Sequence, residues 1–244
     1  MLSERGLARS HTSLWLNCAP RLNAQLMSQL DQMPSEQGPV HRWALPYVAQ
    51  APFSHNDVIA EVAFGMLNFL IENKSQSIRV INDAQIDKII KLAIQQLSII
   101  RGGPGFPREW FSQDHLEDAT QLSSRLFEKL IIDPGHIMVH PRLEGLGILM
   151  SCHPDIIQGK QLIEVKMSRY PFRSQDLRQL IIYAMLAWFQ GIELDFLTLI
   201  NPRLGVSWQF SHENLAFLVS NDPPVILFQK LQEYLTGETI DRWV

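Results

Sequence analysis

The sequence predicts an α/β fold: a short mixed sheet flanked by helices, with a mainly helical region ahead of it. Three observations predict it. Apolar residues recur at helical spacing in several segments before residue 131. The period then switches to the strand type in short runs between 136 and 210. One strongly helical segment, 175–190, interrupts those runs, giving the strand–helix–strand order of an α/β chain.

Taken in order, residues 20–33 carry Leu22, Leu26 and Leu30 at i, i+4 and i+8, a helical face. PSEQGP at 34–39 is a loop. A helix is expected over 56–72, with Ser54 or Asn56 as its cap. Residues 84–100 are amphipathic through Ile86, Ile89, Ile90, Ala93, Ile94 and Leu97. RGGPGFP at 101–107 is the strongest breaker in the chain and divides it into a helical region, 1–107, and a core with a C-terminal helix, 108–244. A helix over 112–131 opens that core. Strands are expected at 136–141, 145–152 and 161–167, then the helix 175–190 with Ser174 as its cap. A strand at 194–200 turns through Asn201–Gly205 into another at 206–210. A last helix covers 224–236.

Bulk composition narrows the function classes. The chain has 244 residues, 46% of them hydrophobic and only 19% charged, enough for a sizeable core and for a surface partly covered by a partner. A net charge of −4 excludes a protein that tracks a phosphate backbone over its whole surface. Contact with nucleic acid has to come from a local basic patch, a partner subunit or a bound metal. Cys18 and Cys152 form no C-x-x-C pair, so neither a disulfide framework nor a structural zinc site is expected; two buried thiols in a reducing cytoplasm are. The N-terminus lacks the apolar run of a signal peptide, and no stretch has the ~18 uninterrupted apolar residues of a membrane span.

The chemistry concentrates in HPDIIQGKQLIEVKMSRY, 153–170. In a strand, Glu164 and Lys166 project to one face while Ile163 and Val165 face the other. The Gly159 turn folds the preceding strand back, which brings Asp155 beside Glu164. Two neighbouring carboxylates repel unless a cation joins them, and Mg²⁺ or Mn²⁺ takes oxygen ligands of this kind. A lysine beside such a pair could activate a nucleophile or stabilise charge on a phosphate. On the following helix, Gln179 and Tyr183 stand at i, i+4 on the border of its apolar stripe.

Pro154-Asp155, Glu164-Val165-Lys166 and the helix carrying Gln179 and Tyr183 together resemble the PD-(D/E)XK nuclease superfamily, and within it the RecB-like exonucleases. The resemblance covers roughly 112–200. It implies a restriction-endonuclease-like αβββαβ core and hydrolysis of DNA phosphodiester bonds. Asp155, Glu164 and the Val165 carbonyl would hold the metal, Lys166 would be the catalytic lysine, and Gln179 and Tyr183 would contact substrate and active site. The family adds an acid from an upstream helix. Glu117 is the first choice, ahead of Asp118 and Glu128; Glu61 is a more distant alternative, and Glu144 reads as a turn carboxylate. The four-cysteine iron–sulfur subtype is excluded by the cysteine count, and no Walker A pattern is present.

Work inside a complex is expected from the acidic charge and the missing motor, with a protein partner or a second copy, and phage defence is the setting suggested by analogy. His136, His140 and His153 could approach the site. Arg169, Arg173 and Arg178 form the nearest basic patch, and Arg203 lies on the turn after a core strand. Two rivals remain open: a catalytically silent nuclease-fold module that binds protein or DNA, and a sugar-phosphate or nucleotide enzyme on another α/β fold.

Overall fold

The computed structural model describes residues 1–35, 38–74, 80–101, 106–130 and 137–237. Its helices are α1 (Glu4–Ser10), α2 (Thr12–Cys18), α3 (Ala24–Gln32), α4 (Asn56–Glu72), α5 (Asp83–Arg101), α6 (Gln113–Leu130), α7 (Ser174–Phe189), α8 (His212–Ser220) and α9 (Pro224–Thr236). Its strands are β1 (Val40–Arg42), β2 (Ile137–Val139), β3 (Ile156–Gln158), β4 (Gln161–Val165), β5 (Phe196–Asn201) and β6 (Val206–Ser211). They form one six-stranded mixed sheet in the order β1-β6-β5-β4-β3-β2. β4 and β5 are parallel and every other neighbouring pair is antiparallel. A parallel pair needs a crossover, and α7 supplies it.

The two-residue period of β4 sorts its side chains into two cores. Leu162 joins α7, the helices α1–α3, and α8 and α9, where Leu7, Trp15, Leu30, Tyr183 and Leu231 are buried. Ile163 and Val165 face the other way, onto α4, α5 and α6, among Val62, Leu67, Ile90 and Leu122. The result is three layers, with the sheet between two helical ones. Gly65 sets the spacing of α4 and α5: a Cβ there would lie 2.7 Å from Ile89 Cγ2.

Both cores cross residue 107. α4 packs on α6, and α1 packs on α7. Buried Asp118 of α6 accepts from Tyr47 Oη (2.8 Å), Gln50 N (2.9 Å) and Ala51 N (3.2 Å), which ties down the segment ahead of α4. Buried Arg203 donates to Asn56 Oδ1 at 2.9 Å, joining the β5–β6 turn to α4.

The strand expected at 145–152 is absent. That segment makes only isolated bridges, Leu143 with Cys152, Leu146 with Leu149 and Leu2 with Leu149. Its glycines explain this: Gly147 has φ +57°, and a Cβ on Gly145 would fall 2.2 Å from Leu149 O. The hairpin partner of β4 is instead β3, closed by Gly159 at φ +55° and Lys160. Caps also differ. His55 precedes α4 without a side-chain cap bond, and Arg173 precedes α7, where its N–H donates to Asp176 Oδ2 at 2.8 Å. The remaining expected strands and helices lie within a few residues of their expected bounds; α1, α2, α8, β1 and β3 had no counterpart in the sequence reading. Ile131, His136 and the 102–105 breaker fall outside the described residues. Among the described residues, no helix is long and apolar enough to cross a membrane.

Candidate active site

Glu164 belongs to the same face of β4 as Leu162 and so points toward α7. Ile156 pairs with Ile163 across the hairpin, and one step further along the register brings Asp155 beside Glu164. Asp155 Oδ2 accepts the N–H of Val165 at 2.7 Å, which fixes its carboxyl against the end of β4. Lys166 continues the strand direction, its N–H donating to Ile200 O at 2.7 Å. Its ammonium donates to Glu164 Oε1 and to Gln179 Oε1, both at 2.7 Å, and lies 3.9 Å from Asp176 Oδ1. Gln179 Nε2 then donates to Tyr183 Oη at 2.8 Å. An unbroken polar chain therefore runs from β4 to α7. Gln179, Tyr183 and Glu164 are nearly inaccessible, which makes each of those bonds costly to lose.

Glu164 Oε2 is buried and has no hydrogen-bond donor. The Asp155 and Glu164 carboxyls each perturb the other, so the two compete for one proton or one cation. Burial, and then the Asp155 charge, push Glu164 up to about 7. Burial also raises Asp155, against the pull of Lys166 and the Val165 N–H. Burial alone would lower Lys166, but the carboxylates of Glu164, Asp176 and Asp155 outweigh it and raise its pKa. Lys166 is thus held as a cation, suited to offset negative charge rather than to take up a proton.

These groups line a cleft of about 530 Å³ between α4, α1 and the loop after β4. Asp155, Glu164, Val165, Lys166 and Gln179 all open onto it. The donor set fits a hard divalent cation: two carboxylates side by side, one with an oxygen that no donor satisfies. Among the described residues, no set of three or more His, Cys, Asp or Glu side chains converges on a metal position.

Glu117 is exposed on α6 and does not reach the cleft. Asp118 is used to hold the 47–51 segment, and Glu128 is exposed. Glu144 forms a surface pair with Arg142 at 3.1 Å. Of the upstream acids named from the sequence, Glu61 of α4 lines the cleft, one helical turn after Asp57, which lines it too; burial raises the Glu61 pKa against the pull of Arg5. His140 also lines the cleft, with its ring stacked 4.8 Å from Phe64 and its pKa lowered by burial and by His153. His153 stays outside, bonded to His140 O at 3.1 Å. Arg173 lines the cleft, and Arg169 lies against two lining rings, Phe53 and Tyr170. Arg178 turns away, bonded to Ala8 O at 3.2 Å and lying 5.4 Å from the Trp15 ring, where it holds α1 against α7.

Sequence reasoning missed Arg5 and Arg9, which α1 carries to the cleft wall. The Arg5 side chain is 62% exposed and can turn toward a ligand. The four-residue spacing of these arginines on one helix face was the available signal.

No protein-family model and no curated protein matches the chain. The chemistry assigned to the cleft therefore rests on the residues it brings together.

Proposed function

We propose that the protein is a divalent-metal-dependent nuclease of the PD-(D/E)XK superfamily, RecB-like in its motifs, that hydrolyses DNA phosphodiester bonds. The observation carrying this reading is the junction of Asp155, Glu164 and Lys166, with Gln179 and Tyr183 behind them, in one cleft. The strand order is consistent with the restriction-endonuclease-like core: three antiparallel strands, a crossover helix, and a strand parallel to the third.

Asp155 and Glu164, with the Val165 carbonyl, would hold Mg²⁺ or Mn²⁺, and Glu61, which lines the same cleft, would assist. The metal, when bound, supplies Lewis-acid stabilisation of the phosphate and lowers the pKa of water. The chain's own contributions follow from the geometry. Asp155 is locked by the Val165 N–H, so its free oxygen keeps a fixed direction. Gln179, held by Tyr183, anchors the Lys166 ammonium. Lys166, kept charged, would offset the charge growing on the phosphate oxygens. Arg5 and Arg9 on the cleft wall would bind flanking phosphates. The acidic net charge favours action within a complex, with a protein partner or a second copy, as in DNA processing or phage defence.

The test is cleavage of linear, circular, single-stranded and double-stranded DNA with Mg²⁺ or Mn²⁺, comparing wild type with Lys166→Ala. Cleavage by wild type and its loss in the variant are expected. No cleavage of any DNA with either metal, candidate partners included, refutes the proposal.

A further inference from the structure

The cleft has an organised mouth. Phe53, from the short 3-10 turn Phe53–His55, and Tyr170, from the loop after β4, meet at its edge with ring centroids 6.2 Å apart and planes at 82°. Both rings stay open, 38% and 44% exposed. Arg169 lies against both: its guanidinium carbon is 4.2 Å from the Phe53 centroid and 5.0 Å from that of Tyr170, and Nη2 donates to Tyr170 Oη at 2.8 Å. Arg173 flanks Tyr170 at 5.6 Å. Among the described residues, no carboxylate is ion-paired with Arg169 or Arg173. Flat apolar faces beside unneutralised guanidinium groups match a ligand that is itself flat and anionic: a nucleobase with its phosphate.

Two observations select the state of the strand. The cleft volume, about 530 Å³, is that of a pocket for one small ligand. A net charge of −4 leaves little basic surface to follow a duplex. Bases within a duplex are already stacked and offer no free face.

We propose, resting on the nuclease reading above, that Phe53, Arg169 and Tyr170 form a seat for an unpaired nucleobase and so lead a single strand into the cleft. Phe53 and Tyr170 line the same cleft as Lys166, so a base held there enters the cleft that holds the proposed catalytic groups.

The experiment is fluorescence anisotropy with a labelled single-stranded oligonucleotide and a blunt duplex of the same sequence. Ca²⁺ replaces Mg²⁺ to keep the strands intact, and cleavage in Mg²⁺ is run in parallel. Wild type should bind the single strand more tightly than the duplex. Tyr170→Ala and Phe53→Ala should each weaken single-strand binding about tenfold. Tyr170→Phe, which keeps the ring, should retain most of the affinity, and Phe196→Ala, on an exposed ring away from the cleft, should change nothing. Equal binding of duplex and single strand, or alanine variants with wild-type affinity, overturns the seat, and cleavage in Mg²⁺ would leave the nuclease reading standing. Absence of both binding and cleavage overturns both.

Discussion

Replacing Glu164 with glutamine should make the metal-free protein more stable at alkaline pH while destroying its response to metal. A carboxyl whose pKa rises from 4.5 to about 7 on folding costs the folded state about 3 kcal/mol at any pH above both values. The sign follows from proton binding. Between these values the folded state holds the proton more tightly than the unfolded chain. The Glu164 contribution is therefore present below pH 4.5 and is lost as the pH rises to about 7. Glutamine keeps an oxygen for Lys166 and supplies an N–H toward Asp155, without the charge. At pH 8 in a chelator, Glu164→Gln should raise Tm by about 6–12 °C, at about 2–4 °C per kcal/mol for a chain of this length. Near pH 4.5 the gain should vanish. Taking the difference between variant and wild type at each pH cancels the histidine contributions. Magnesium at a hundred times its Kd should add about 2.7 kcal/mol to wild type and almost nothing to the variant. A variant no more stable than wild type at pH 8, or a gain that does not change with pH, would refute the charge-pair account of the cleft.

Asp118→Ala strands Tyr47 Oη and the N–H groups of Gln50 and Ala51, and should cost about 3 kcal/mol or more in urea unfolding. Gly205→Ala sets a side chain at φ +64° with its Cβ 2.2 Å from Ala44 O, so a loss of about 2 kcal/mol or more is expected by the same measurement. His115, its pKa lowered by burial and by His55, accepts from Ser112 N at Nδ1 and shares a 2.8 Å contact with His55. Its stabilisation is complete above pH 6.5 and is lost as the pH falls through the lower folded pKa. His115→Phe should flatten the acid limb of stability, read as urea midpoints from pH 7.5 to 5. Gln179→Ala should reduce kcat more than KM, because it frees Lys166 without touching the rim.

The sheet was legible where one physical rule dominated. Strand periodicity fixed which side of β4 faces each core and brought Glu164 to Lys166. Gly159 marked the hairpin. The same rule failed at 145–152, where the apolar run GLGILMSC reads as a strand but two glycines turn it. The candidate triad could be read because its residues are local or joined by one hairpin. Arg5 could not, and Glu61 stood only as a distant alternative, since nothing near them in sequence says that α4 and α1 border the cleft. Glu117 lies exposed on α6 and outside the cleft, while its neighbour Asp118 makes the buried contact on that helix, and that contact is structural. Short α1 and α2 draw their order from packing on α7 and α9 respectively rather than from propensity.

The core beneath α7 joins residues from α1 through α3 to others from α8 and α9. This has a consequence for biosynthesis. Until α7 has been translated, α1 lacks the helix it chiefly packs on, and with it the support that holds Arg5 at the cleft wall. Leu227, Leu231 and Leu235 complete that layer last. A chain still on the ribosome thus lacks an assembled cleft until α7 and the helices that pack beneath it have emerged.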